Sequence, residues 1–452
     1  MGQKRFVGAT NQPLHNFTDK ILSITITLAL YCPSKAKDLN APQQPPGYIQ
    51  LINAIGERLE RMALVKPELS AEQLMKRAQQ KTGLKTWGDD AFRPGLDQLI
   101  AALNTQAQLS QVGRITAYYN LLDHLCVRLR LNNYRATRPE VAAQTIVRPL
   151  FILGLPRTGT TILHELIAQD PSFRSPASWE VARPLPPPTA HTYNSDKRIA
   201  TVSRLLRVLE KLTPGFQAIH ALGAQLPQEC VYMLASSFIS EQFAYMYNVP
   251  DYRNWALEQD MTSAYAWHAR FLQHLQVDTA RERWVLKTPA HLAHLDYLLA
   301  QYPDAAIIWT HRRPLEAIAS FSSLACTLRR GFSASADPVM TGACEFEYFS
   351  RVAHRGVTTR RTLDNGQFID VSFEAICADP LSVVSAIYDR LGMPLTHEAQ
   401  LSMREYLRRR PRNLYGEHQY SAQTFGLDAA QEQQLYSGYL SEYGAYLEGE
   451  AD

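Results

Sequence analysis

The chain has 452 residues, 46% of them hydrophobic and 20% charged, with a formal net charge of +3, which is the profile of an ordinary globular protein of one large domain or two. So small a net charge excludes a nucleic-acid binder that works through a dominant basic surface. The six cysteines, at positions 32, 126, 230, 326, 344 and 377, are widely spaced and form neither a disulfide framework nor a metal-ligand motif, so reduced thiols in the cytoplasm are expected.

Residues 1–47 read as an N-terminal arm closed by the Pro-rich linker Asn40–Gly47. The run Ile21–Cys32 falls short of the roughly 18 apolar residues of a membrane span, so no integral span is expected. Sparse basic residues before it and no clean cleavage site after it argue against a signal peptide. In a cytoplasmic protein the sequon Asn16-Phe17-Thr18 is then accidental. From 48 to 145 the pattern is helical. Ser70-Ala-Glu-Gln73 is a capping-box signature, and further helical stretches cover Leu96–Leu103 and Ile115–Leu131.

The region 146–452 reads as α/β. Its candidate strands are Leu150–Leu153, Trp284–Leu286, Ala306–Thr310 and Phe368–Val371. Each is short, apolar and followed by a helical stretch, as parallel crossover units require. A helical insertion of about 197–276 interrupts them and carries Tyr232, Phe238, Phe243, Tyr245, Tyr247, Tyr252 and Trp255. Core packing is the first reading of these aromatics; the second is an apolar acceptor pocket.

Two segments carry chemistry. After the first strand comes Gly154-Leu-Pro-Arg-Thr-Gly159, then Thr160 and Thr161 at the start of an apolar-periodic helix. Strand, glycine loop and helix N-terminus make an anion cradle of backbone N–H groups. The two glycines have P-loop spacing, but Thr160 stands where a nucleotide triphosphatase needs lysine, and the cation is Arg157 inside the loop. The second segment ends a strand at Arg312-Arg313, starts a helix at Pro314 and places Ser320 two turns into it. Arg312 then stands at the carboxyl end of a strand, where open α/β sheets bind ligands. Two anion sites on one sheet edge point to a ligand phosphorylated at two positions.

On these motifs the sequence resembles the PAPS-dependent sulfotransferase superfamily, in its broad bacterial-type branch. Pro156-Arg157-Thr158-Gly159-Thr160-Thr161 is similar to the family's 5′-phosphosulfate loop. Arg312 with Ser320 is similar to the pair that holds the nucleotide 3′-phosphate, and Phe373 in Phe373–Pro380 to an aromatic that lies against adenine. Ser175–Glu180, Arg283–Pro289 and His418-x-Tyr420 with Phe425-Gly-Leu427 match the branch as well, and the likeness runs from about residue 68 to the C-terminus.

The resemblance implies a P-loop-like three-layer fold with a central parallel sheet, a large helical N-terminal region and a helical insertion. It implies sulfuryl transfer from 3′-phosphoadenylyl sulfate (PAPS) to a hydroxyl or, second, an amine of a small acceptor, without a metal ion. Arg157 and Lys287 are the expected cations at the sulfuryl group. Two residues compete for the general base: Glu180, 23 positions after Arg157, and His291, 21 before Arg312. Each has an ordinary alternative, as a first-turn helix acid and a plain helix residue. An arginine of the run Arg408-Arg-Arg-Pro-Arg412 is a further candidate for the 3′-phosphate. The acceptor is expected to be an alcohol, phenol, lipid or polyketide-like molecule, and a homo-oligomer stays open. The competing readings are a P-loop kinase or triphosphatase and a noncatalytic nucleotide-binding protein.

Overall fold

The computed structural model describes residues 69–279, 283–363, 365–410 and 420–448, with the isolated positions 47, 50, 53 and 54. The N-terminal arm with its apolar run and sequon, Cys32, most of the Pro-rich linker, Pro411, Arg412 and His418 lie outside the described residues.

Five strands form one parallel sheet in the order β2-β3-β1-β4-β5: β1 Leu150–Gly154, β2 Phe173–Arg174, β3 Arg283–Lys287, β4 Ala306–His311 and β5 Phe368–Ser372. Four of them extend the apolar runs of the sequence by one to two residues at the ends. The fifth, β2, has only two residues, too few for any periodicity to mark it. In β1, alternate side chains enter two different cores: Phe151 and Leu153 join one, Leu150 and Ile152 the other. A strand buried on both faces needs no polar alternation, which is why it reads as a continuous apolar run.

The longer helices and those that border the sheet edge are α1 Ala71–Thr82, α2 Arg93–Thr105, α3 Gln111–Thr137, α4 Thr160–Ile167, α5 Ser178–Ala182, α6 Lys197–Leu212, α7 Thr262–Gln276, α8 Pro314–Phe332, α9 Pro338–Arg360, α10 Phe373–Ala378, α11 Pro380–Arg390, α12 His397–Arg409 and α13 Ala429–Leu447. Ser70 caps α1, its side chain accepting from the Gln73 backbone N–H at 3.4 Å. The smaller core holds α4, α11 and α12 against one face of the sheet, through Leu163, Leu166, Val384, Ile387 and Met403. The larger core covers the other face with α1 to α3, α7 to α9 and α13. The fold is therefore an α/β three-layer arrangement, helix on sheet on helix. Between β2 and β3 the chain is helical through α6 and α7, and Phe238, Phe243, Tyr247 and Tyr252 are buried in the larger core.

Candidate nucleotide and sulfuryl-transfer site

The carboxyl ends of β1, β3 and β4 bring Gly154, Lys287 and His311 to one edge of the sheet. The loop that leaves β1 is held by side chains. Thr158 Oγ1 donates to the Leu155 carbonyl at 2.7 Å and lies 2.6 Å from Thr310 Oγ1 on β4. Arg157 occupies the left-handed region at φ 68, which costs a non-glycine residue on the order of 1–3 kcal/mol and is met where function fixes a side chain. Gly159 follows at φ 89 and heads α4 with no side-chain cap, so the first-turn N–H groups are available to an anion. A Cβ on Gly159 would lie 2.9 Å from Ile376 Cδ1 and 3.3 Å from Phe373 Cδ2. Only glycine lets α10 approach the loop this closely.

Arg157 reaches across to the second segment. Its Nε donates to Ser320 Oγ at 3.1 Å and its Nη1 to the Ile219 carbonyl at 3.0 Å. Arg312 donates from Nη1 to the Arg157 carbonyl at 3.2 Å and from Nη2 to Glu316 at 3.0 Å, and its guanidinium lies 4.2 Å from the centre of the Phe373 ring. Tyr420 Oη stands 3.4 Å from Arg312 Nη2. Burial lowers the Arg157 guanidinium from its ordinary value, Tyr420 and Glu229 oppose this, and Arg312 adds to it. Two arginines whose charges act on each other leave a demand for anionic charge at this wall. The two segments that the sequence treats as separate anion sites share one wall.

Beside the loop the expected cation Lys287 is joined by a carboxylate that sequence reasoning did not single out, Glu229. Lys287 Nζ lies 2.5 Å from Glu229 and 3.2 Å from Thr161 Oγ1, and Thr288 Oγ1 donates to Glu229 at 3.2 Å. Burial pushes the Glu229 carboxyl up, but Lys287, His220 and the two hydrogen bonds outweigh it and hold the group below the usual carboxylate range. Glu229 heads the short helix Cys230–Leu234 in the insertion, far from any motif, so no local spacing marks it.

Both candidate bases are fully buried. Glu180 is fully buried on α5. Its Oε1 is paired with Arg174, while Oε2 accepts from the Ala177 N–H and the Tyr193 hydroxyl, both at 2.7 Å. With three partners and no exposed surface, the carboxylate is tied into the protein interior. This is the helix-acid alternative with an added buried arginine. His291 is fully buried in the turn Pro289–His294, stacked on Tyr265 and hydrogen-bonded to its hydroxyl at 2.8 Å. Burial holds it well below its ordinary value, with His268 and His294 adding to this. In the basic run, Arg408 and Arg409 pair with Glu405 on the exposed end of α12, and Arg410 stands 3.4 Å from Glu165.

Three comparisons bear on this arrangement. A family model described as the sulfotransferase family matches residues 149–397. Mycobacterial omega-hydroxy-beta-dihydromenaquinone-9 sulfotransferase Stf3, in Mycobacterium bovis and Mycobacterium tuberculosis, is 26% identical over 271 residues, which is 56% of this chain and 65% of Stf3. The match thus spans just under two thirds of that relative's length. Among solved structures, sulfotransferase STF1 from Mycobacterium tuberculosis H37Rv superposes with a TM-score of 0.74 at 31% identity, covering 83% of this chain and all of STF1. Sulfotransferase STF9 from Mycobacterium avium gives a TM-score of 0.75 at 28% identity, covering 84% of this chain and 97% of STF9.

Proposed function

The chain belongs to the sulfotransferase family, and from that premise we propose that it transfers a sulfuryl group from PAPS to a hydroxyl of a small, apolar or lipid-like acceptor. The observation that carries the PAPS reading is the shared wall of Arg157 and Arg312, with Arg312 lying on Phe373 and Ser320 hydrogen-bonded to Arg157. An adenine nucleotide with phosphates at both ends asks for such a set: a flat aromatic and guanidinium surface between cationic groups. The first turn of α4, which no side chain caps, offers backbone N–H groups to phosphate oxygens.

Bound there, PAPS would supply the sulfuryl group and leave as the 3′,5′-bisphosphate PAP. Arg157 and the N–H groups of Gly159, Thr160 and Thr161 neutralise charge on the leaving 5′-phosphate. Pro156 and Thr158 fix the loop, and Arg312 and Ser320 hold the 3′-phosphate. Lys287, next to Thr161, faces the sulfuryl oxygens. Glu229 takes the acceptor proton: it is the ionised carboxylate beside that lysine, whereas the Glu180 carboxylate is held by Arg174, Ala177 and Tyr193, and His291 is fully buried against Tyr265. The lipid-like acceptor is supported by the menaquinone-derived acceptor in the name of Stf3. No helix among the described residues is long and apolar enough to cross a membrane.

Melting temperatures with PAP, with AMP and with Mg-ATP test the nucleotide reading. At 100 times its dissociation constant a ligand stabilises by about 2.7 kcal/mol, so PAP should raise the midpoint well above AMP at equal concentration. Equal shifts for PAP and AMP would overturn the double-phosphate reading, and a larger shift with Mg-ATP would favour phosphoryl transfer. A screen of labelled donor against lipid alcohols, phenols and sugars then identifies the acceptor class.

A further inference from the structure

Behind Glu229 and Lys287, three residues far apart in sequence meet in the core. The Cys230 Sγ and one ring nitrogen each from His268 and His291 all lie within 4.8 Å of one another, and the three residues are fully buried. Sequence spacing gives no hint of this group. Cys230 follows Glu229 at the head of a short helix, His268 lies on α7, and His291 lies in the turn after β3.

The hydrogen bonding of the two imidazoles is one-sided in the same way. Nδ1 of His291 meets the Tyr265 hydroxyl at 2.8 Å, and Nδ1 of His268 meets the Tyr302 hydroxyl at 2.7 Å. The Nε2 atom of each has no partner among the described residues. A buried ring nitrogen without a hydrogen bond is costly. Two of them beside a buried thiol are what a bound cation would satisfy, and a metal-bound histidine commonly has its second nitrogen fixed by an oxygen partner. Burial also keeps both imidazoles neutral, His268 at about 3, which is the form that ligates.

From this geometry we propose that Cys230, His268 and His291 form a three-coordinate site for a monovalent, closed-shell soft cation, Cu(I). Thiolate and imidazole ligands suit Cu(I) and Zn(II) alike, and charge decides between them. A thiolate with Cu(I) is neutral overall, whereas with Zn(II) it leaves a net positive charge beside Phe151, Tyr265 and Tyr302 in the interior. Zn(II) also calls for a fourth ligand, and the cluster supplies three. Donor-to-metal lengths of about 2.0–2.3 Å place ligand atoms roughly 3.5 Å apart, so the cluster closes by side-chain adjustment of about an ångström. On binding, Cys230 gives up its thiol proton to solvent, and no oxidation or reduction takes place. The ion would tie the segment carrying Glu229 to the turn after Lys287, making it a structural support and not a participant in sulfuryl transfer.

The test uses the full chain with the exposed Cys344 and Cys377 both changed to serine. The metal-free protein is titrated anaerobically with Cu(I) against bicinchoninate, and in parallel with Zn(II) against a chromophoric indicator. One equivalent of Cu(I), a thiolate-to-metal absorption band and a raised melting temperature are expected. Cys230→Ser should remove the band and weaken binding by about 100-fold or more, beyond the usual effect of outer-shell changes. His268→Gln gives the same result should Cys230→Ser fail to fold. No retained Cu(I) in the otherwise wild-type chain overturns the site, and one equivalent of Zn(II) with no Cu(I) overturns the charge argument. Neither outcome alters the PAP result, which rests on other residues.

Discussion

Arg157 combines three features that rarely coincide: a left-handed backbone, burial of a guanidinium, and a direct bond to Ser320 on another element. A loop strained to present one cation suits a group that acts on developing charge more than on ground-state binding. Arg157→Ala is therefore expected to lower kcat by about 100- to 1000-fold with a smaller change in KM. Steady-state kinetics with PAPS checks this, and an effect confined to KM would make Arg157 a binding residue. Glu229 is the partner test. Because Lys287 holds its carboxyl below the usual range against the effect of burial, the carboxylate form persists through neutral and weakly acidic pH. The kcat/KM profile should stay flat there and fall only below the ordinary carboxylate range. Glu229→Gln should cost about 100- to 10,000-fold and abolish that acid limb. A variant that keeps the limb would return the base to another group.

The short helix α5 carries Glu180, one of the two candidate bases, and the structure gives it a part in holding the fold. Its buried Glu180 is paired with Arg174 of β2, whose guanidinium also lies over the Trp284 ring of β3. The pair therefore fastens α5 to the sheet. Removing one partner of a buried pair costs about 3–5 kcal/mol because the other charge is stranded. Glu180→Gln is expected to lower the melting temperature by many degrees while the kcat of the remaining folded enzyme changes only a few-fold. Loss of kcat at an unchanged melting temperature would restore Glu180 as the base. The contrast with Glu229 explains what was legible at this scale. Strands buried on both faces, such as Leu150–Gly154 and Ala306–His311, announce themselves as apolar runs. The loop from Gly154 to Thr161 and the pair Arg312 and Ser320 keep their spacing within one strand–helix unit each. Glu229, and the meeting of Cys230 with His268 and His291, depend on how the insertion folds back, which no local spacing encodes.

Across the whole molecule, one polar knot joins the sheet to the two last long helices of the larger core. Asp370 on β5 takes two bonds from Arg360 at the end of α9, at 2.5 and 2.6 Å, and one from His311 of β4 at 2.8 Å. Tyr443 of α13 stacks on His311 with ring centres 4.1 Å apart, and Tyr439 bonds its Nδ1 at 2.9 Å. Burial works to raise the Asp370 carboxyl, but Arg360 and His311 hold it down at about 2, against an ordinary 3.8. A depressed carboxylate stabilises the fold at pH above its unfolded value, and that contribution disappears as pH falls through the folded value. Here it is fully present above about pH 4 and lost between about 4 and 2, amounting to on the order of 2 kcal/mol. Chemical denaturation followed from pH 6 to pH 2 should show that extra loss of stability at the acid end. Asp370→Asn should be less stable at neutral pH, because Arg360 and His311 lose their charged partner, yet show a shallower decline on acidification. A decline of the same steepness in the variant would place the acid-labile link elsewhere, for example in the buried Glu345 that Arg253 and Arg329 share.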